Sequence, residues 1–498
     1  MQSQAANTST HMEKSYAIED WQSGYTSLKQ EYDYWIENIE GEIPSGLNGT
    51  LFKNGPGLLD INGQSIHHPF DGDGMISRIT FDNKRVHFRN RYVRTPGYIE
   101  EQKLGKILYR GVFGTQKTGG WLANCFDLKN KEVANTNVIY WGDKLIALWE
   151  ASEPYRLDPY TLDTLGKDYL EGELAAGSAF SAHPRFDPKS KLDSGQPCLV
   201  NFSVKNNGLS ISITVFELDI TGKVIRKHTH TFPGFGFIHD FVITPNYCIF
   251  FQNPVSFNPI PFILGIAGAG QCVIPQPHKP SRAIIIPRDP ENLEIHTLEM
   301  NAGFIFHHAN AFEQDDKIVV DSICYEEFLP GIKQGENFHQ VDFSLIPPGK
   351  LWRFHLDIGD KTVNKEPLGD FCCEFPSINP QNLGRKYRYL YIGATHFPWG
   401  NGPLQAFQKV DLETGERQTW SAGPRAFTGE PSFVPHPNAT SEDDGWVLAI
   451  IYDAKHHRSD IVVLDAKDLH EKPLARLHLR HHIPYGLHGT FTDKVFLK

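Results

Sequence analysis

The chain has 498 residues, 40% of them hydrophobic and 21% charged, a composition that excludes a disordered or fibrous protein. Its net charge of −11, from 48 basic against 59 acidic residues, argues against nucleic acid as a partner, because phosphate backbones demand a basic face. Two or three domains would fit this length, but closed all-β architectures run long as one unit. The expectation is a single domain over residues 1–498, with 1–14 a flexible N-terminal tail.

The first residues, MQSQAANTSTHMEKSYAIEDW, carry no charged-then-apolar leader pattern, so a cytoplasmic setting is expected. Short β-like runs then follow one another. They include GTLFKNGPG from Gly49, RVHFRNRYV from Arg85, NVIYWGDKLIALWE from Asn137, CLVNFSVKNNGLSISITVFELD from Cys198, KIVVDSICY from Lys317, YRYLYIGATH from Tyr387 and WVLAIIYDA from Trp446. Apolar-polar alternation, β-branched and aromatic residues and Gly-Asp or Asn-Gly turns mark them as strands. VIYWGDKLIALW and SISITVFELDITGKVIRKH read as hairpins. Helical periodicity is nearly absent, its best case being Glu100 to Tyr109. Many short strands without alternating helices predict an all-β fold, and at this length a propeller disposes of sheet edges best. No sequence repeat is visible, so the blades cannot be counted.

The seven cysteines, at 125, 198, 248, 272, 324, 372 and 373, show no CxxC spacing, and most lie in apolar surroundings and read as buried free thiols. Aromatics make up 12% of the chain and suit either a β-core or the lining of a long apolar ligand. No apolar run reaches the roughly 18 residues needed to cross a bilayer. The nearest, PIPFILGIAGAG from Pro259 to Gly270, reads from its residues as an internal loop, with a lipid-facing patch as the alternative.

Of 23 histidines, most have a bland reading. His228 and His230 share one face of a strand and read as an exposed polar pair. His456/His457 and His481/His482 lie among charged residues and read as surface; His67/His68 read as a turn. Four others differ: His183 in SAHPRFD, His239 in FIHDF, His307 in FHHANAF and His488 in GLHGTF. Three of these sit among apolar or aromatic neighbours, where an imidazole needs a hydrogen bond or a metal. Imidazole suits iron, zinc, copper and nickel. Glu150 in ALWEAS, Glu374 in CCEFPS and Glu430 in TGEPSF stand in equally apolar settings. Metal-bound imidazoles pass their second ring N–H to such carboxylates.

In these residues the chain resembles the carotenoid cleavage oxygenases. The likeness runs in order through EIPSGLNGTLFKNGPG, HPFDGDGM, ANTN, LWEAS, AHPRFD, IHDF, FHHANAFE, GEPSFVP, EDDGW and IPYGLHG. It implies a seven-bladed β-propeller with Fe(2+) on its axis under a dome of loops and short helices. The iron would be held by His183, His239, His307 and His488, with the first histidine of the 307/308 doublet as ligand. Glu150, Glu374 and Glu430 would orient His239, His307 and His488, leaving His183 without a carboxylate. No further catalytic side chain is implied. The implied reaction is oxidative cleavage of a central (15,15′) double bond of apocarotenoids, such as β-apocarotenals, by O2, giving retinal and a second aldehyde.

The resemblance also implies a tunnel in which Phe70, Trp149, Phe237, Phe306, Tyr325 and Phe375 surround the polyene, with Thr136 obstructing one coordination position. Segments 111–122 and 257–266 correspond to a membrane-facing patch, which turns the expectation for PIPFILGIAGAG to a peripheral lipid contact. A stilbene-cleaving dioxygenase of the same family is the alternative enzyme. A propeller that only binds a hydrophobic ligand is the alternative outside enzymes.

Overall fold

Alternation builds the sheets. In the strand Ser210–Leu218, Ile211, Ile213 and Val215 are buried while Ser210, Ser212 and Thr214 stay half-exposed. The hairpin after Asn137 turns on Gly142 and Asp143, both at φ 56°, the paired left-handed conformation that matches strand twist. This computed structural model describes residues 16–292, 294–301, 303–326, 338, 341, 343, 346–396 and 402–497. The tail expected over 1–14 lies outside the described residues.

Seven antiparallel sheets follow one another in the chain as blades. Blade 1 contains Gly49–Lys53, Asp73–Asp82 and Arg85–Tyr92; blade 2 runs from Asn137–Trp141 to Thr164–Lys167. Blade 3 runs from Arg185–Asp187 to Val224–Pro233, and blade 4 from Val242–Ile243 to His296–Met300. Blade 5 runs from Phe304–Gln314 to Thr362–Pro367, blade 6 from Cys373–Ser377 to Arg417–Ser421, and blade 7 from Ala426–Phe427 to Ala475–His478. Each neighbouring pair buries its own apolar layer. Leu51, Ile79 and Phe88 of blade 1 meet Leu448, Ile461 and Leu477 of blade 7, and corresponding layers separate the other six pairs. The expected all-β propeller therefore has seven blades.

Both ends of the chain close the ring. On the inside, Gly489–Thr492 pairs with Gly49–Lys53 of blade 1. On the outside, Asp33–Trp35 adds to blade 1 and Ile39–Gly41 to blade 7. The hairpins around Gly142 and Thr221 form as expected, and six of the seven cysteines are buried.

Three expectations need correction. The helix covers Pro96–Leu104, not Glu100 to Tyr109. Pro96 opens it behind the Thr95 side-chain cap, and Gly105 at φ 62° ends it, so start and stop chemistry outweighs the apolar spacing that continues to Tyr109. His481 and His482 are buried, each 7% exposed, because the N-terminal segment covers them: Tyr32 stacks on His481 with ring centroids 4.0 Å apart, and Thr26 meets His482 Nε2 at 2.9 Å. His228 and His230 lie on the half-buried face of their strand, with Nδ1 of one 2.8 Å from Nε2 of the other.

Candidate metal centre

The inner ends of blades 3, 4, 5 and 1 aim one imidazole each at the propeller axis. His183 precedes the inner strand Arg185–Asp187, His239 precedes Val242–Ile243, His307 lies on Phe304–Gln314 and His488 precedes Gly489–Thr492. Their ligand-capable nitrogens all lie within 4.8 Å of one another, and Nε2 of His183 and of His239 are 2.8 Å apart. A metal about 2.1 Å from each imidazole nitrogen separates neighbours by about 3.0 Å and opposite ligands by about 4.2 Å. The spacing fits one shared ion. His307 Nε2 is buried without a hydrogen-bond partner, a costly arrangement that a metal relieves.

Local chain geometry makes this convergence possible. His488 is pinned through its N–H to Thr136 O at 3.1 Å and through its carbonyl to Asn54 N–H at 2.9 Å. A Cβ on the following residue, Gly489, would lie 2.0 Å from Phe52 O, so only glycine lets this strand close on blade 1. The doublet at 307 and 308 splits across its strand, as β geometry requires. His308 turns into the core, its Nδ1 2.7 Å from Ser322 Oγ, and burial lowers its pKa to about 4.

Behind the cluster, the three glutamates meet the three expected histidines at Nδ1. Glu374 Oε2 lies 2.6 Å from His307 and Glu430 Oε1 2.7 Å from His488; Glu150 Oε2 meets His239. A carboxylate at Nδ1 holds the ring proton there and turns the Nε2 lone pair inward. No carboxylate pairs with His183 among the described residues. Burial, and then the neighbouring histidines, push its pKa well below the usual value, keeping it the neutral imidazole a metal needs. Burial alone would raise the Glu374 and Glu430 carboxyls, but their partners outweigh it. Glu374 is lowered by His307 and Tyr325, and Glu430 falls to about 2 beside Lys53 and His488. Glu150 departs from the buried setting expected of it, with a side chain 31% exposed against 16% for each of the others.

Sequence reasoning missed three further groups. Lys53 Nζ lies 2.6 Å from Glu430 Oε2. Arg185 donates to Asp240 Oδ2 at 2.6 Å, to Phe241 O at 2.7 Å and to His308 O at 3.0 Å. Asp240 in turn accepts from His308 N–H at 2.8 Å. This pair ties together the segments that carry His183, His239 and His307. The available signal was one charge beside a histidine in each of HPRFD and IHDF.

The aromatic candidates divide into two groups. Phe306 packs edge-on against His239 at 5.4 Å, and Phe375 lies 5.6 Å from His307 and 5.4 Å from His488. Phe375 reaches them from a left-handed backbone at φ 58°, inside an irregular stretch of strand pairing. Phe237 and Tyr325 flank Phe306, and the Tyr325 hydroxyl donates to Glu374 Oε1 at 2.7 Å. Trp149 and Thr136 are buried, Trp149 beside Glu150 in the chain and Thr136 beneath His488. Phe70 stands apart, 37% exposed and packed on His68 and Phe113.

Residues 25–493 match the family model described as retinal pigment epithelial membrane protein. The chain is 53% identical to the apocarotenoid-15,15′-oxygenase of Synechocystis sp., over 98% of this chain and 99% of that protein. It is 29% identical to the lignostilbene-α,β-dioxygenase isozyme III of Sphingomonas paucimobilis, over 94% and 95%. The crystal structure of the cobalt-substituted Synechocystis oxygenase superposes with a TM-score of 0.95 at 52% identity, covering 97% of this chain and all of that one. Matched along nearly its whole length in sequence and in fold, the chain belongs to the retinal pigment epithelial membrane protein (RPE65) family of carotenoid oxygenases.

Proposed function

We propose that the protein is an iron(II)-dependent dioxygenase that cleaves the central 15,15′ double bond of an apocarotenoid to give retinal and a second aldehyde. The observation that carries this reading is the four-imidazole cluster backed by three carboxylates. Four nitrogen donors of intermediate softness suit Fe(2+), and their carboxylates balance its charge one layer out. His183, His239, His307 and His488 hold the ion, which when bound supplies the activation of O2.

The chain's own residues do the rest. Phe306, Phe375, Phe237, Trp149 and Phe70 present hydrocarbon to a polyene, and the Thr136 methyl narrows the space beside His488. An apolar lining holds the alkene in register and excludes water. The phenolic hydroxyl of Tyr325 already donates to Glu374 and the Thr136 hydroxyl to Asn135 Oδ1, so neither proton is offered to a stilbene phenol. Polyenes are therefore favoured over stilbenoids. Iron-loaded protein incubated under O2 with apocarotenals of several lengths should yield retinal, identified by chromatography. Cleavage of stilbenes alone would overturn the substrate.

We read the chain as one domain, since strands from both ends close the same ring. The described residues contain no helix long and apolar enough to cross a membrane. An exposed patch offers a shallower contact: Trp121 is 56% exposed, Leu122 81%, Phe126 73% and Ile260 61%. Arg110 fastens its two segments, donating to Phe262 O at 2.9 Å and Ala267 O at 2.7 Å. In this reading the patch enters the lipid face and draws substrate from it. Leu122→Asp should weaken flotation with phospholipid vesicles while leaving cleavage of detergent-dispersed substrate unchanged; undiminished flotation would exclude this face.

A further inference from the structure

We propose that Lys53 is a positioning residue that sets the charge of the metal centre, fixing Glu430 against His488 and making the site neutral around a divalent ion. The inference rests on the metal-centre reading above. Lys53 ends the strand Gly49–Lys53 of blade 1, next to the innermost strand and paired in register with Gly489, the residue after His488. Its ammonium meets Glu430 Oε2 at 2.6 Å and Glu430 O at 3.3 Å. The other carboxylate oxygen, Oε1, faces His488 Nδ1 at 2.7 Å. One carboxylate is thus held between a cation and an imidazole, so its orientation cannot drift from the ring.

The charge count gives the pair a function beyond orientation. Glu150 and Glu374 form ion pairs only with histidines among the described residues, and Arg185 with Asp240 is neutral as a pair. Three carboxylates against the single ammonium of Lys53 leave two negative charges, the complement of a divalent cation with four neutral ligands. Without Lys53 the complement becomes trivalent. Water screens the pair poorly, since the two side chains are 8% and 16% exposed. A cavity of about 40 Å3 lies against it, lined also by Ser77, Tyr452 and Ser459, and the Ser77 Oγ is buried without a partner. That volume accepts water, so a shortened side chain at position 53 can be replaced by solvent without collapse of the strand.

The test compares wild type with Lys53→Met, Lys53→Gln and Lys53→Arg, all loaded anaerobically with Fe(II). Metal content is measured, and the ratio of ferric to ferrous binding is obtained from mediated redox titration. Met and Gln should shift that ratio toward ferric iron by about tenfold or more, the size expected for one unit charge at close range in a poorly screened site. Arg should restore the wild-type ratio. A glutamine variant that holds iron with an unchanged ratio would overturn the proposal, because a hydrogen bond alone would then suffice. Loss of iron from both uncharged variants, with retention in Lys53→Arg, would overturn the charge role, because removing a cation from the site should by itself strengthen binding of a metal cation. Wild-type protein that binds no iron would overturn the metal centre itself and Lys53 with it; a wild-type centre with three unaltered variants would overturn Lys53 alone.

Discussion

The two sides of the histidine cluster are held by different means. On the side of blades 5 to 7 and 1, His307 and His488 are fixed through their rings. Glu374 is gripped by Tyr325 Oη–H and Phe375 N–H, and Glu430 by Lys53. On the side of blades 3 and 4 the rings are more loosely backed: among the described residues no carboxylate pairs with His183, and Glu150, which meets His239, is about a third exposed. There the backbone is fixed instead, by Arg185 and Asp240 clamping the segments behind the histidines. A metal site needs ligand directions set to within tenths of an ångström. This fold meets that need with ring partners on one side and a main-chain staple on the other.

The comparison breaks most completely if a ligand is removed. His239→Ala deletes the donor from the looser side and leaves three imidazoles. Iron content after anaerobic loading should fall at least a hundredfold, with cleavage lost in parallel. Full retention of both would remove His239 from the ligand set.

The staple comes next in size. Arg185→Met leaves the Asp240 carboxylate, itself 4% exposed, without its cation. Breaking a buried pair from one side costs about 3–5 kcal/mol, enough to lower the midpoint of thermal unfolding measurably. If the staple serves the centre, iron should also bind more weakly in the folded variant. A lower midpoint with wild-type iron affinity would make the pair purely architectural.

The legible part of this site follows from chemistry that clusters locally in sequence. Three of the four histidines and the three glutamates were separable because each polar group stood among apolar neighbours, and the family motifs supplied His183 and fixed which member of the 307/308 doublet to choose. Lys53 was not separable. In LFKNGPG it looks like any strand-end lysine, and its partner is 377 residues away. Blade number was hidden for a related reason: the blades share no repeat, and only the long-range pairing of residues 489–492 with 49–53 closes the count. His481 and His482 looked exposed because arginines and a lysine surround them in sequence, whereas Tyr32 and Thr26 cover them in space. Phe375 carries no sequence sign of its left-handed backbone.

The two carboxylates at the extremes of the comparison give the finest test. Glu374 Oε2 accepts from the His307 ring at 2.6 Å while Tyr325 and the Phe375 N–H hold the carboxylate in place. Replacing it by Gln can keep the two bonds to Oε2 through the amide carbonyl, but it removes the carboxylate charge from a largely buried setting and turns an NH2 toward Tyr325, whose hydroxyl must reverse to accept. Glu150→Gln disturbs one contact, and its open environment lets water take up the remainder. Substituting carboxylates behind metal-bound imidazoles typically costs 10- to 100-fold in affinity. Glu374→Gln should fall near the upper figure and Glu150→Gln near the lower, a gap of about tenfold, or about 1.4 kcal/mol. Competition titrations with a chelator measure both. Equal losses would mean that the hydrogen bond to the ring is all that matters, and that the grip of Tyr325 and Phe375 on Glu374 adds nothing to metal binding.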